Sequence, residues 1–242
     1  MQTSTQVLTT SGGESLQDSI QYQGRKAARA KSEHRRRLIL EATLRIVAKE
    51  GVRGVKHRAV AKEAGVPLAS TTYYFKDIDE LISDAFMLFA ENSQRYIESF
   101  YTELSKLISA YDFDELVHSA DLQERLSAQI LDLGSQYIHA QIRFRRNDIL
   151  AEQAFLLESL RDERLKPLAR QYRSVWLNSL ATLLEELGSK SPEENASIII
   201  STVYSLQYDG IINDGKIDEQ RMRAVWKRVL DAILGQLKVE NP

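Results

Sequence analysis

The spacing of apolar residues along the chain predicts α-helices throughout. From Ile39 to Val47 apolar residues recur three and four positions apart, which places them on one face of a helix. This first helix is expected to begin with Ser32 as its N-cap and to end at Gly51. Similar patterns occupy residues 77–107, 121–143, 147–161, 163–187, 192–212 and 218–238, with a loop or short helix over residues 108–120. The predicted fold class is therefore all-α.

Two short helices separated by a tight turn are predicted over residues 58–64 and 68–74. Gly65 can adopt the left-handed conformation that ends a helix, and Pro67 suits the start of the next one. This is a helix-turn-helix pattern. The second helix has the sequence LASTTYY and no carboxylate, so it can lie against phosphates without repulsion. Asp77 and Glu80 then predict a capping box at the start of the long helix.

Charge is distributed unevenly along the chain. The net charge of the 242 residues is −2, but residues 25–81 hold 14 Lys and Arg against 7 Asp and Glu, and the remainder holds 18 against 27. A basic N-terminal part and an acidic remainder are expected if one end of the molecule meets nucleic acid. Residues 25–37 are either a basic arm that follows DNA or a solvated basic tail.

The run AxxAGVxxxxxxxYFxxxxEL, from Ala61 to Leu81, resembles the DNA-binding signature of TetR-family transcriptional regulators. The resemblance implies three parts: a disordered extension with a basic arm (1–31), a helix-turn-helix DNA-binding domain of three helices (32–76), and a helical effector-binding and dimerisation domain (77–242). It places the contacts with double-stranded DNA at Lys56, His57, Arg58, Leu68, Ala69, Ser70, Thr72, Tyr73 and Tyr74. Phe75 is expected to pack as a core wedge between the two folded parts.

The resemblance also implies a homodimer and an unknown small-molecule effector. Residues 192–212 and 218–238 carry broad apolar faces, and they resemble the helix pair through which this family dimerises. An effector pocket is expected between the middle helices. Its candidate lining residues, aromatic and lying on apolar stripes, are Phe86, Tyr137, Phe155, Tyr172, Trp176 and Tyr204.

Other classes of protein are less compatible with the sequence. No histidine pair has the spacing of a zinc helix, and no phosphate-binding or nucleophile motif is present, so we expect no catalytic residues, metal or cofactor. The alternatives kept open are an all-helical ligand-binding enzyme and a DNA-coating protein without a sensing role. The chain has no cysteine, no long apolar run and no signal peptide pattern, and the expected location is the cytoplasm, without membrane contact. The function predicted is that of a ligand-responsive repressor that binds a pseudo-palindromic operator as a dimer.

Overall fold

The computed structural model describes residues 30–235, except for the side chains of Ala30 and Phe113. Within this range the chain forms helices and no strand, and the all-α prediction is confirmed. The predicted disordered extension, the first part of the basic arm and the end of the last predicted helix lie outside the described residues. The helices are α1 (Ala30–Glu50), α2 (His57–Ala64), α3 (Leu68–Tyr74), α4 (Ile78–Ser109), α5 (Phe113–His118), α6 (Ala120–Phe144), α7 (Arg146–Ser159), α8 (Lys166–Glu186), α9 (Pro192–Ile212) and α10 (Glu219–Leu234).

The turn between α2 and α3 forms at the glycine. Gly65 has φ 65° and ψ 33°, a left-handed conformation that costs glycine little because it has no Cβ. The amide of Val66 then donates to the carbonyl of Ala61 at 3.0 Å, which closes the end of α2. Pro67 precedes the first residue of α3. The chain therefore reverses within three residues, and α3 lies across α2.

The starts of two helices differ in detail from their predictions. Ser32 is not an N-cap, because α1 begins two residues earlier, and its hydroxyl instead lies 3.0 Å from the Tyr74 hydroxyl. At α4, Asp77 accepts from the amide of Glu80 at 2.8 Å as a capping residue should. In a capping box the Glu80 carboxylate would accept from the amide of Asp77. Here it accepts from the amide of Lys76, one residue earlier.

We keep the division between residues 76 and 77 as a proposal, and we call residues 30–76 the head and residues 77–235 the body. One hydrophobic cluster joins them: it contains Ile39 and Phe75 of the head and Phe86 and Phe155 of the body. Phe75 is fully buried in it. α1 packs on both α4 and α7, so two body helices contact the head directly.

A buried ion pair crosses the same contact. Arg36 of α1 donates to the carboxylate of Asp84 of α4, with 1% and 5% of the two residues exposed. The Arg36 guanidinium also lies 4.9 Å from the centre of the Phe75 ring. Burial raises the pKa of Asp84 to about 6, although the charge of Arg36 opposes this shift. The effect of desolvation on the pKa of Asp84 is therefore larger than the opposing effect of the Arg36 charge.

In the body, α9 packs mainly on α8, and α10 packs mainly on α6. Much of the apolar surface predicted for dimerisation is therefore used within the chain. Ile199 and Val203 turn inward from α9, and Trp226 of α10 is buried. A different stripe remains exposed on α9, and its large apolar side chains are Ile198, Tyr208 and Ile212.

Candidate nucleic-acid interface and ligand cavity

Most of the predicted DNA contacts lie on the exposed side of the helix-turn-helix. Lys56 and Arg58 are exposed at the N-terminus of α2, and Leu68, Ala69 and Thr72 are exposed on α3. Tyr73 projects furthest, with 78% of the residue exposed. These side chains combine cations for phosphates with a hydroxyl and methyl groups that can meet base edges.

Three of the predicted contacts are partly buried, and the side chains of two of them have partners within the head. His57 lies with Nδ1 at 3.1 Å from the Thr71 hydroxyl, and this bond ties α2 to α3. The Tyr74 hydroxyl lies against Ser32, and the Tyr74 ring meets Tyr73 edge to face at 5.0 Å. Ser70 is half-buried. The contacts of His57 and Tyr74 help to orient α3, whether or not these side chains also touch DNA.

One further cation belongs with this surface. Lys76 follows Phe75 directly and is exposed. Its amide forms part of the cap of α4, so its side chain leaves the backbone where head and body meet. The signal for it was present in the sequence as a lysine next to the recognition helix.

The body contains a cavity of about 110 Å³ between α4, α6, α7, α8, α9 and α10. By volume it can hold roughly seven to eleven water molecules. Four of the six predicted lining residues border it: Tyr137, Tyr172, Trp176 and Tyr204. Aromatic residues outside the predicted set also line it, namely Phe89, Tyr96, Phe100, Tyr101 and Trp226.

The predictions for Phe86 and Phe155 are wrong. Both are fully buried in the cluster between head and body, where their rings stack 4.5 Å apart and nearly parallel. Neither lines the cavity. Their helical stripe predicted burial correctly, but a stripe does not distinguish a packed core from a cavity wall.

A buried carboxyl group in the cavity wall was missed. Glu152 of α7 is 8% exposed, and it accepts from the hydroxyl groups of Tyr172 at 2.9 Å and Tyr204 at 2.8 Å. Burial raises the pKa of Glu152, although the two hydrogen bonds oppose the shift. Burial also raises the pKa of Tyr172 and of Tyr204, so both hydroxyls stay protonated donors. In the sequence, Glu152 looks like any surface glutamate of a helix.

Arg145 and Asp148 form a separate charged pair at the cavity. The guanidinium Nε of Arg145 donates to the Asp148 carboxylate at 2.7 Å. The same guanidinium lies 4.1 Å from the centre of the Tyr96 ring. Arg145 thus already has an anion and an aromatic face as partners. Its neighbours Arg143 and Arg146 are exposed.

Residues 30–235 contain neither of two other kinds of site. No group of three or more histidine, aspartate or glutamate side chains there could hold a metal ion. None of the helices in that part of the chain combines the length and apolar character needed to cross a membrane.

Comparison with protein families identifies both parts of the chain. Residues 39–91 match the model of bacterial regulatory proteins of the tetR family, and residues 125–236 match the model of a tetracyclin repressor-like C-terminal domain. The chain belongs to the TetR family. It is accordingly a DNA-binding transcriptional regulator.

Similar proteins agree with this assignment. The HTH-type transcriptional regulator PksA of Bacillus subtilis is 42% identical over 59 residues, which are 24% of this chain and 29% of PksA. The match thus spans less than a third of that curated relative. A TetR-family structure from Streptomyces coelicolor A3, SCO1917, is 25% identical, with 81% of this chain and 97% of that chain covered and a TM-score of 0.52.

Two further structures extend the comparison of this TetR-family chain. The multidrug binding protein EbrR complexed with ethidium is 25% identical, with 81% of this chain and 98% of that chain covered and a TM-score of 0.50. A transcriptional regulator from Rhodococcus, RHA1_ro04179, is 19% identical, with 85% and 99% covered and a TM-score of 0.62. The second likeness shows the fold.

Proposed function

We propose that this regulator is a homodimeric repressor that binds a pseudo-palindromic operator and releases it when a small molecule enters the cavity. The observation that carries the proposal is the position of α7. Glu152 of α7 borders the cavity, and the same helix packs on α1 of the head. At its end, Glu158 accepts from Arg53 of the head at 3.3 Å. One rigid helix therefore touches both the cavity and the DNA-binding part.

α4 provides a second connection between the same two places. Its residues Phe89 and Ser93 border the cavity. Asp84, which lies more than one helical turn before Phe89, accepts a hydrogen bond from Arg36 of the head. A ligand that displaces α4 or α7 changes the angle of the head. Since a ligand shifts an equilibrium only by its differential affinity for the two states, the effector must fit one head angle better than the other.

For the DNA contacts we propose that α3 enters the major groove and that the N-terminus of α2 meets the backbone. Arg58 is our candidate for a contact with a guanine edge, because it is exposed and directly follows His57, which contacts Thr71 of α3. Lys56 and Lys76 flank it as phosphate contacts. Two such heads related by a two-fold axis read two half-sites in successive major grooves.

We propose that the dimer forms through the outward face of α9 with a contribution from α10. Ile198, Tyr208 and Ile212 lie along one stripe of α9, and between them lie the exposed and small Ser201 and Ser205. Small residues four positions apart allow a second helix to approach closely. Val225 of α10 is exposed as well, and an apolar surface of this kind is expected where two copies meet.

The effector is proposed to be a compact, largely apolar aromatic molecule. Ring contacts in the cavity wall support this, since Phe100 and Tyr137 lie 4.4 Å apart and Tyr172 and Trp176 lie 5.7 Å apart. EbrR has been crystallised with ethidium and with malachite green, so a similar protein binds planar aromatic compounds. A regulator of this type acts where its DNA lies, which we propose to be the cytoplasm.

The test is a binding titration with labelled DNA from upstream of the protein's own gene, followed by fluorescence anisotropy at several salt concentrations. We expect saturable binding of one dimer that survives a random competitor duplex. Equal and weak binding to both duplexes, lost steeply with salt, would show only the electrostatic attraction of the head. Spin labels on the two heads then test the mechanism: the distance between them must change when a compound releases the DNA.

A further inference from the structure

Of the charged residues in the cavity wall, Arg145 and Asp148 pair with each other, whereas Glu152 has no partner of opposite charge in contact. Both tyrosine hydroxyls donate to the same carboxylate oxygen, Oε1. Among residues 30–235 no hydrogen bond or ion pair reaches Oε2. A carboxylate that is 8% exposed and has no cationic partner in contact is costly, because burial penalises its charge.

We propose that the cavity selects apolar molecules that carry one positive charge, and that Glu152 is the residue that recognises this charge. The proposal rests on the proposed function, in which the cavity binds the effector. It goes further by naming the chemical class: a quaternary ammonium or a protonated amine attached to an apolar body.

The aromatic wall around Glu152 favours the same class. The hydroxyl groups of Tyr172 and Tyr204 hold the carboxylate, and the rings of these residues border the cavity together with Tyr137 and Trp176. The faces of aromatic rings carry negative electrostatic potential and attract cations, most strongly where water is excluded. A cation there gains from the rings and from the carboxylate at once, whereas an anion is repelled by both.

The other charges of the cavity do not favour an anion. Arg145 is the cation in the wall, and it already pairs with Asp148 and stacks on Tyr96. An anionic ligand would have to displace that carboxylate. A neutral ligand would gain nothing from the charge of Glu152 and would leave that charge without a cationic partner in contact.

A bound cation favours the ionised form of Glu152, whereas burial favours the protonated form and raises its pKa, and this predicts the pH dependence. The groups that face Glu152 are Tyr172 and Arg173 of α8, Tyr204 of α9, Tyr137 of α6 and Arg145 before α7. Burial keeps the three tyrosine hydroxyls protonated, so Glu152 is the group whose titration should change the affinity for a cation. Affinity for a permanent cation should fall as the pH is lowered through the raised pKa of Glu152, and affinity for a neutral molecule should not.

The matched probes are phenyltrimethylammonium and tert-butylbenzene, which differ only in having N⁺ or carbon at the branch point, with benzenesulfonate as the anion. The chain has two tryptophans, Trp176 and Trp226, and both line the cavity. Tryptophan fluorescence of the full-length protein therefore reports binding. We expect the cation to bind about tenfold or more tightly than its neutral isostere, and benzenesulfonate to bind least.

The variant that tests the residue is Glu152→Gln. The amide oxygen of glutamine can still accept from both tyrosines, so the hydrogen bonds that join α7 to α8 and α9 are kept while the charge is removed. We expect it to lose the preference for the cation and the pH dependence, and to keep its affinity for tert-butylbenzene. Glu163→Gln removes one negative charge outside the cavity wall and should retain the preference.

The outcomes separate the inference from the proposed function. If tert-butylbenzene binds and the cation binds no better, or if Glu152→Gln keeps the preference, charge selection is wrong and the cavity remains a binding site. If none of the three probes changes the tryptophan fluorescence, the effector site itself is wrong, and the inference falls with it. Preference for benzenesulfonate would make Arg145 the recognising residue and would also overturn the inference.

Discussion

Replacing Gly134 with alanine tests the packing between α6 and α10. A Cβ atom built on Gly134 lies 2.9 Å from Cε2 of Trp226 and closer still to its Nε1. Real Cβ contacts of this kind do not occur, so the indole or one of the helices must move. Trp226 is 4% exposed, and the rigid indole is held between α6 and the rest of the core. Because it is rigid it can shift only as a whole, towards the cavity that it borders.

The expected effect is the difference between two opposing contributions. Overpacking a filled core costs about 1 to 3 kcal/mol. Alanine in place of a glycine inside a helix contributes about 0.8 to 1 kcal/mol of stability, and Gly134 lies in the interior of α6. We therefore expect a net loss of up to about 2 kcal/mol in the free energy of unfolding, or a melting temperature lower by up to about 8 °C.

The assay is urea unfolding at a fixed protein concentration, because a dimer makes stability depend on concentration. Gly235→Ala is the matched control: no described atom lies within 4 Å of a Cβ at that position, and its φ of −64° suits alanine. We expect the control to be as stable as the wild type or slightly more stable. Adding Trp226→Phe to the Gly134 variant removes the crowding ring edge, so the two substitutions should show favourable coupling. A Gly134→Ala protein that gains as much stability as the control would refute this account of the packing.

Three further variants test the head, the dimer and the contact between head and body. Arg58→Ala should weaken binding to the specific site by about 1 to 3 kcal/mol and relax base preference, as measured by anisotropy; equal weakening on random DNA would make Arg58 a phosphate contact. Tyr208→Asp places a charge in the proposed interface, and sedimentation should show dissociation towards monomer; an unchanged dimer would place the interface elsewhere. The third variant replaces Arg36 with methionine and Asp84 with leucine together. Because the cost of desolvating the pair outweighs its attraction, the free energy of unfolding at pH 7 should stay unchanged or rise by about 1 to 4 kcal/mol in urea unfolding. A loss above about 2 kcal/mol would contradict this.

The same double variant should change how stability depends on pH. The pKa of Asp84 is raised to about 6 in the folded state from an ordinary value of 3.8, so between these values the folded protein holds a proton that the unfolded chain has lost. The stabilising contribution of Asp84 to the free energy of unfolding is fully present below about pH 4, and it is lost as the pH rises through 6. Urea unfolding at several pH values should show this decline in the wild type and a smaller one in the double variant. An equal decline in both would assign the pH dependence to other groups.

Local features of the sequence were sufficient for the head. The left-handed turn at Gly65 depends on a residue without a Cβ, and the apolar spacing of α1 depends on neighbours three and four positions away. Both are read directly from short runs of residues. The bounds of α3, the cap at Asp77 and the burial of Phe75 follow from the same kind of local signal. The family signature lies in this part of the chain for the same reason.

The cavity was predicted in part. An aromatic residue on an apolar stripe can end in a packed core, as Phe86 and Phe155 do, or in a cavity wall, as Tyr137 and Tyr204 do. The helical period gives both the same signal, because it records which face is buried and not how well that face is filled. Whether space remains is decided by how several helices, distant in sequence, fit together.

The charge of the cavity was decided by tertiary structure alone. Glu152 has the sequence context of a surface glutamate on α7, and it becomes a buried acceptor only because α8 and α9 bring Tyr172 and Tyr204 to it. Helix packing likewise turned Ile199 and Trp226 inward and left Ile198 and Tyr208 outside. The sequence by itself determined the helices, the turn and the DNA-binding head, because these depend on residues that are close along the chain. The cavity, its carboxyl group and the free face of α9 depend on contacts between residues far apart along the chain, which no local pattern records.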